Sequence, residues 1–198
     1  MQIGKGVHLA RHMALILLIA AVGFILAGCS GNSSESAGTM TNEPFAITST
    51  AFKDSGRIDI KHTNDNDNIS VPLAWSNTPE GTKSIALVMV DLHPIADEWV
   101  HWIIVDIPAD AKSLAEGSSR TDGLPGGSKE LKNSFNTIGY GGPQPPAGSG
   151  DHEYKFIAYA LNVEQLDVPE QISYDDFQKL AAEHVIDKAE ISGFYENK

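Results

Sequence analysis

Three stretches of the chain are apolar at nearly every position: residues 84–91, 100–107 and 154–161. Each is about the length of one strand and short for a core helix, so they predict strands covered on both faces. Pro108 stops the second. Residues 45–52 alternate apolar and polar positions and are rich in β-formers, and residues 57–61 do the same more briefly. Turn-rich connectors separate these runs. Residues 64–68 alternate Asn and Asp, 117–127 carry Gly, Ser and Pro, and 139–150 is the most Gly/Pro-dense stretch of the chain. Connectors that long in a compact domain are more often functional than idle. The period changes at 173–186. Phe177, Leu180, Ala181, His184 and Val185 share one helical face there, Ser173 suits an N-cap, and Asp175 and Asp176 suit the positive end of the helix dipole. The pattern predicts a mainly β domain with late helical structure, arranged as a sandwich.

The N-terminus does not fit that domain. Residues 1–28 combine a basic start, Lys5 and Arg11, with an apolar stretch too short to span a bilayer comfortably. The stretch ends in Leu26-Ala27-Gly28-Cys29, which resembles the signal for lipid attachment to a cysteine that becomes the new N-terminus. The expectation is a lipoprotein signal peptide over 1–28, lipidation at Cys29, a flexible tether over 29–43 rich in Ser, Gly, Asn and Thr, and one folded domain over 44–198. Such a protein is exported and held by its lipid on the extracytoplasmic side of a membrane. Cys29 is the sole cysteine, so no intramolecular disulfide and no cysteine nucleophile is expected.

Charge narrows the partners. The net charge is −12, and removal of Lys5 and Arg11 with the signal leaves −14. That argues against nucleic acid and against broad adhesion to anionic lipid, whereas one small anion can still enter a locally favourable pocket.

Candidate chemistry gathers in two segments. Asp91 ends one apolar run and His101 opens the next, so adjacent strands would let the carboxylate meet the imidazole, raise its pKa and set its tautomer. His152 and Tyr154 follow the Gly/Pro loop, which would deliver a second imidazole and a phenol. Two partly protonated imidazoles suit a phosphate or carboxylate group. Gly141 and Gly142 would let a ligand reach backbone N–H groups, with Pro143, Pro145 and Pro146 stiffening the loop. Two histidines and an aspartate can also hold a divalent metal, but H-E-x-x-H and G-x-S-x-G are absent, and Ser149, the nearest serine, has no evident base held against it. Asp65-Asn66-Asp67-Asn68 lacks the glycine and the late glutamate of a calcium loop and reads as a polar turn. Trp99 and Trp102 read as packing aromatics, and His93 as solvated.

These motifs, in this order, resemble the phosphatidylethanolamine-binding protein family, in its bacterial and archaeal Raf-kinase-inhibitor-like branch. Asn68-Ile-Ser-Val-Pro-Leu-Ala-Trp75, the turn at 79–84, Asp91 through His101-Trp102, and Asn133 through Pro146 with His152 and Tyr154 carry the likeness over about residues 45–165. The resemblance implies an antiparallel β-sandwich with peripheral and C-terminal helical segments. It implies a non-enzymatic module whose pocket accepts a small phosphate-bearing or anionic ligand, without metal or cofactor. Asp91, His101, His152 and Tyr154 fall on the family's pocket positions, and Gly142 and Pro143 would line the pocket's loop. A protein partner is a further implication, because the family includes signalling regulators. Two departures bear on specificity. His93 stands where a second aspartate is usual, and Glu153 where an arginine is common.

Overall fold

A computed structural model describes residues 43–198. The signal segment, Cys29 and nearly all of the tether lie outside the described residues. The strands are β1 (Ala46–Thr48), β2 (Gly56–Arg57), β3 (Leu73–Ser76), β4 (Ser84–Asp91), β5 (Trp99–Pro108), β6 (Ser113–Leu114), β7 (Lys129–Glu130), β8 (His152–Leu161) and β9 (Val185–Tyr195), with one helix, α1 (Tyr174–Ala181), before β9. They form a three-stranded sheet, β1-β3-β6, and a six-stranded sheet, β2-β9-β8-β4-β5-β7. Every pairing of these strands is antiparallel except β2 with β9.

The continuous apolar runs follow from the layering. In β4, Ile85, Leu87 and Met89 join Trp75 and Leu73 of the small sheet and Phe156 of β8 in one core. The intervening Ala86, Val88 and Val90 join a second core on the opposite face with Tyr159, Tyr174 and Phe177, so α1 covers that side. Successive side chains point to opposite faces of a strand, and here both faces are dry. The result is the expected mainly β sandwich.

The C-terminal region departs from the sequence expectation. Ser173 caps α1, its Oγ accepting from the Asp176 N–H at 3.1 Å. The helix ends at Ala181, however, not at residue 186, and Val185 opens β9, an eleven-residue strand between β2 and β8. Strand β9 runs antiparallel to β8 through Tyr154↔Gly193 and His152↔Tyr195. It therefore backs the strand that carries two candidate site residues.

Candidate ligand-binding site

Three adjacent strands meet at one end of the large sheet. Asp91 at the end of β4 lies opposite Tyr154 of β8 and Trp99 of β5. His152 and Tyr154 are two apart on β8, so they share the face toward the small sheet, while Glu153 turns the other way and accepts from Ser192 Oγ on β9. Glu153 therefore does not set the charge of the site. On β5, Met89 pairs with Trp102 and Val90 with Val100, which leaves His101 unopposed in a β-bulge. A bulge of this kind re-aims its side chain, and it places His101 beside Asp91 and Tyr154.

The hydrogen bonds assign the imidazoles differently from the sequence spacing. Asp91 pairs with His152, not with His101: its Oδ2 accepts from His152 Nδ1 at 2.6 Å, and its Oδ1 accepts from the His93 N–H at 2.9 Å. His101 is tied instead to the loop, its Nδ1 donating to Gly141 O at 2.6 Å while the Gly141 N–H donates back to His101 O at 2.9 Å. Desolvation by complete burial lowers the His101 pKa from 6.5 to about 4, against the opposing pulls of the Gly141 carbonyl and the Asp91 charge. His101 is thus neutral at pH 7, not the partly protonated ring that the sequence suggested. His93 is not simply solvated. It is half-buried, and its ring stacks on His152 at 3.9 Å between centroids and 20° between planes.

The Tyr154 ring meets His101 edge-on at 5.1 Å. Its hydroxyl is buried against the Asp91 carboxylate, though no hydrogen bond of normal geometry forms there among the described residues. Burial, helped by the Asp91 charge, raises the Tyr154 phenol far above its ordinary range, so it stays protonated. Asp91, His101, His152 and Tyr154 line one cavity of about 370 Å³. The remaining walls are mostly apolar, from Ile95, Ala96, Trp99, Phe135, Pro145 and Pro146, with Gln144 beside them.

Gly142 and Pro143 do not line this cavity. A Cβ on Gly142 would fall 2.1 Å from His62 O, so the glycine is required by close packing against the turn below it. Its N–H donates to Asn68 Oδ1 at 2.8 Å, and the Gly141 N–H is spent on His101 O, so neither amide is free for a ligand. The wall is made two residues later. Gln144 is held there by Asn64 Nδ2 and Asp65 Oδ1, both at 2.7 Å, so the Asn/Asp turn braces the loop. Among the described residues, no group of three or more His, Cys, Asp or Glu has metal-holding geometry.

Sequence reasoning missed Trp99 and Phe135 as cavity residues. Trp99 had a usable signal, since it precedes His101 by two positions on the same strand. Phe135 had none of its own. It is presented by a loop organised around buried Asn133, whose Oδ1 accepts from the Phe135 and Thr137 N–H groups and whose Nδ2 donates to Gly139 O at 2.8 Å. Ser149 also stands differently from its sequence reading: its Oγ lies 3.0 Å from His152 Nε2, so a base is held against it after all.

A family model described as "Phosphatidylethanolamine-binding protein" matches residues 48–196, reaching through β9 and past the region where the motifs are recognisable by eye. The chain belongs to the phosphatidylethanolamine-binding protein family. A UPF0098 protein of Methanothermobacter thermautotrophicus is 40% identical over 145 residues, 73% of this chain and 94% of that protein. The solved structure of Escherichia coli YbcL, described as a member of the mammalian family, matches with a TM-score of 0.73 and 34% identity, over 79% of this chain and all of the other. LppC of Mycobacterium tuberculosis, named as a candidate lipoprotein, is 37% identical over 121 residues, 61% of this chain and 57% of LppC. Membership in the phosphatidylethanolamine-binding protein family makes this a binding-type protein of known fold. Among its described residues, no helix is long and apolar enough to cross a membrane.

Proposed function

We propose that this protein is a non-enzymatic binding module, exported and lipid-anchored through Cys29, that holds a small phosphorylated or otherwise anionic ligand in the cavity between Asp91, His101, His152 and Tyr154. The observation that carries the reading is the convergence of Asp91, His101, His152 and Tyr154 on one cavity of about 370 Å³. Both Asp91 oxygens are already engaged, accepting from the His93 N–H and from His152 Nδ1, which fixes the His152 ring in the cavity wall. Apolar walls around a few convergent polar groups are the usual anatomy of a small-molecule site. The anchor rests on the Leu26-Ala27-Gly28-Cys29 motif and on the likeness to LppC. The test is titration of the full chain in detergent with inorganic phosphate and phosphoethanolamine, following the His101 and His152 ring resonances. Saturable shifts in both rings are expected. Rings that stay unmoved into the high millimolar range would defeat the reading.

One observation favours a second reading. Ser149 Oγ, His152 Nε2 and Asp91 stand in the order of a serine, its base and the base's orienting carboxylate, with spacings of 3.0 and 2.6 Å. The binding reading prevails because the Ser149 hydroxyl proton has a nearer acceptor in Pro146 O, at 2.6 Å. The expected result is that a fluorophosphonate probe leaves Ser149 unlabelled by mass spectrometry. A stoichiometric Ser149 adduct that disappears in His152→Ala would replace the binding module with a serine hydrolase.

A further inference from the structure

Strand β9 is bordered on its outer side only at Gly193 and Phe194, where β2 pairs with it. Over 185–191 it is the edge of the large sheet. Ser192 O accepts from the Ser55 N–H at 2.8 Å, and the Ser192 N–H donates to Asp54 Oδ1 at 3.0 Å, so the backbone groups of Ser192 point away from β8. The register with β8 is unbroken from Tyr195 to Asp187, so the alternate residues Glu190 and Lys188 point outward as well. The Glu190 N–H and C=O and the Lys188 C=O have no hydrogen-bond partner among the described residues, and the Lys188 N–H donates only to Asp187 Oδ1 beside it, at 2.8 Å. Ala189 and Ile191 turn into the core shared with β1, whereas Asp187, Lys188 and Glu190 are exposed.

An open edge is a template for another strand, and lysine there usually guards against pairing. Here a glutamate two residues on supplies the opposite charge. Set antiparallel with Ala189 opposite Ala189, a second β9 brings its Glu190 against Lys188 and its Lys188 against Glu190. The parity agrees. The outward-pointing residues meet as hydrogen-bonded pairs, and Ala189 meets itself at the non-hydrogen-bonded position, where strands come closest and a small side chain fits. Centring the pair on Lys188 or on Glu190 instead sets like charges against each other. Glu190 also accepts from Lys155 Nζ at 3.1 Å, so the row of charges would run from β8 through β9 into the partner. We propose that β9 is a self-association edge, on which a second copy of this chain pairs antiparallel about Ala189 and joins the two large sheets into one. The two-fold axis makes the contact self-complementary. Asp54 and Ser55 occupy Ser192 and so limit the pairing to residues 187–191. An interface that short buries little area, so the dimer is weak and concentration-dependent. It does not depend on what the cavity binds.

Sedimentation equilibrium of the full chain in density-matched detergent, with micelles in excess, tests this on the unsubstituted protein, on Lys188→Glu and on the double variant Lys188→Glu, Glu190→Lys. A reversible monomer–dimer equilibrium is expected. Lys188→Glu should weaken it roughly tenfold or more, because symmetry turns two attractive cross-strand pairs repulsive, and the double variant should recover most of the loss. Both side chains are exposed, so a folding defect does not mimic this pattern. A monomer persisting into the high micromolar range would overturn the proposal, as would a dimer indifferent to both variants. A monomer whose Glu190 amide is protected from hydrogen exchange would give the edge to the chain's own tether, residues 29–43, and would equally overturn the second copy as its occupant.

Discussion

Replacing Asp91 with alanine is expected to cost about 3–5 kcal/mol of folding stability, the loss typical of breaking a buried pair from one side. The carboxylate is 3% exposed and its partner His152 1%. Alanine would leave His152 Nδ1 and the His93 N–H without acceptors at once. Neither donor can easily find another. The His152 ring is held by Ser149 at its other nitrogen and by His93 across its face. The segment that begins at His93 also contains two successive non-glycine residues in the left-handed region, Asp97 at φ 49° and Glu98 at φ 56°. Such backbone holds only where its surroundings over-determine it, and the Asp91 contact to His93 is one of those anchors. Asp91→Asn should lose less, about 1–2 kcal/mol, since an amide oxygen can still accept from one of the two donors. Urea denaturation measures both, read from the midpoint with the slope unchanged. A loss for Asp91→Ala below about 1 kcal/mol would mean that the pair is not the keystone of this end of the sheet.

The same residues show what was and was not legible in the sequence. Strands β4, β5 and β8 were readable because both faces of the large sheet are buried, so their apolar runs are nearly unbroken. Strand β9 was hidden because only Ala189, Ile191, Ser192 and Gly193 are buried along it, while Ile186, Asp187, Lys188 and Glu190 are exposed. His184 and Val185 continue the apolar face of α1 by chance, which carried the expected helix five residues too far. At the site, Asp91, His101, His152 and Tyr154 were nameable from residue type, order and family likeness, and they share the cavity. Their pairing was not nameable. A separation of ten positions between Asp91 and His101 suggested a cross-strand contact, but one extra residue in β5 turns His101 toward the loop and leaves Asp91 to His152. A bulge has no reliable mark in a sequence. Gly142 was misread for a related reason: a glycine in a loop before a histidine suggests ligand approach, and only the 2.1 Å clearance to His62 O shows that the approach is by the protein itself.

Acid should destabilise the protein through His101. The folded ring holds its proton only below about pH 4, whereas the unfolded chain holds it below the ordinary 6.5. Between those values the unfolded state binds a proton that the folded state refuses, so stability rises with pH across this window and falls as pH drops through it. The His101 contribution is complete above about 6.5 and largely lost by about 4, a change of roughly 3 kcal/mol. Glu116, held below the usual carboxylate range by Lys61, loses its pairing only as pH falls further, so it does not account for the loss between 6.5 and 4.5. Denaturant midpoints taken at about pH 7.5 and about pH 4.5 should differ accordingly, and the difference should shrink sharply in His101→Gln, whose amide can donate to Gly141 O but does not titrate. An equal loss in both proteins would mean that His101 is solvated enough to charge in place.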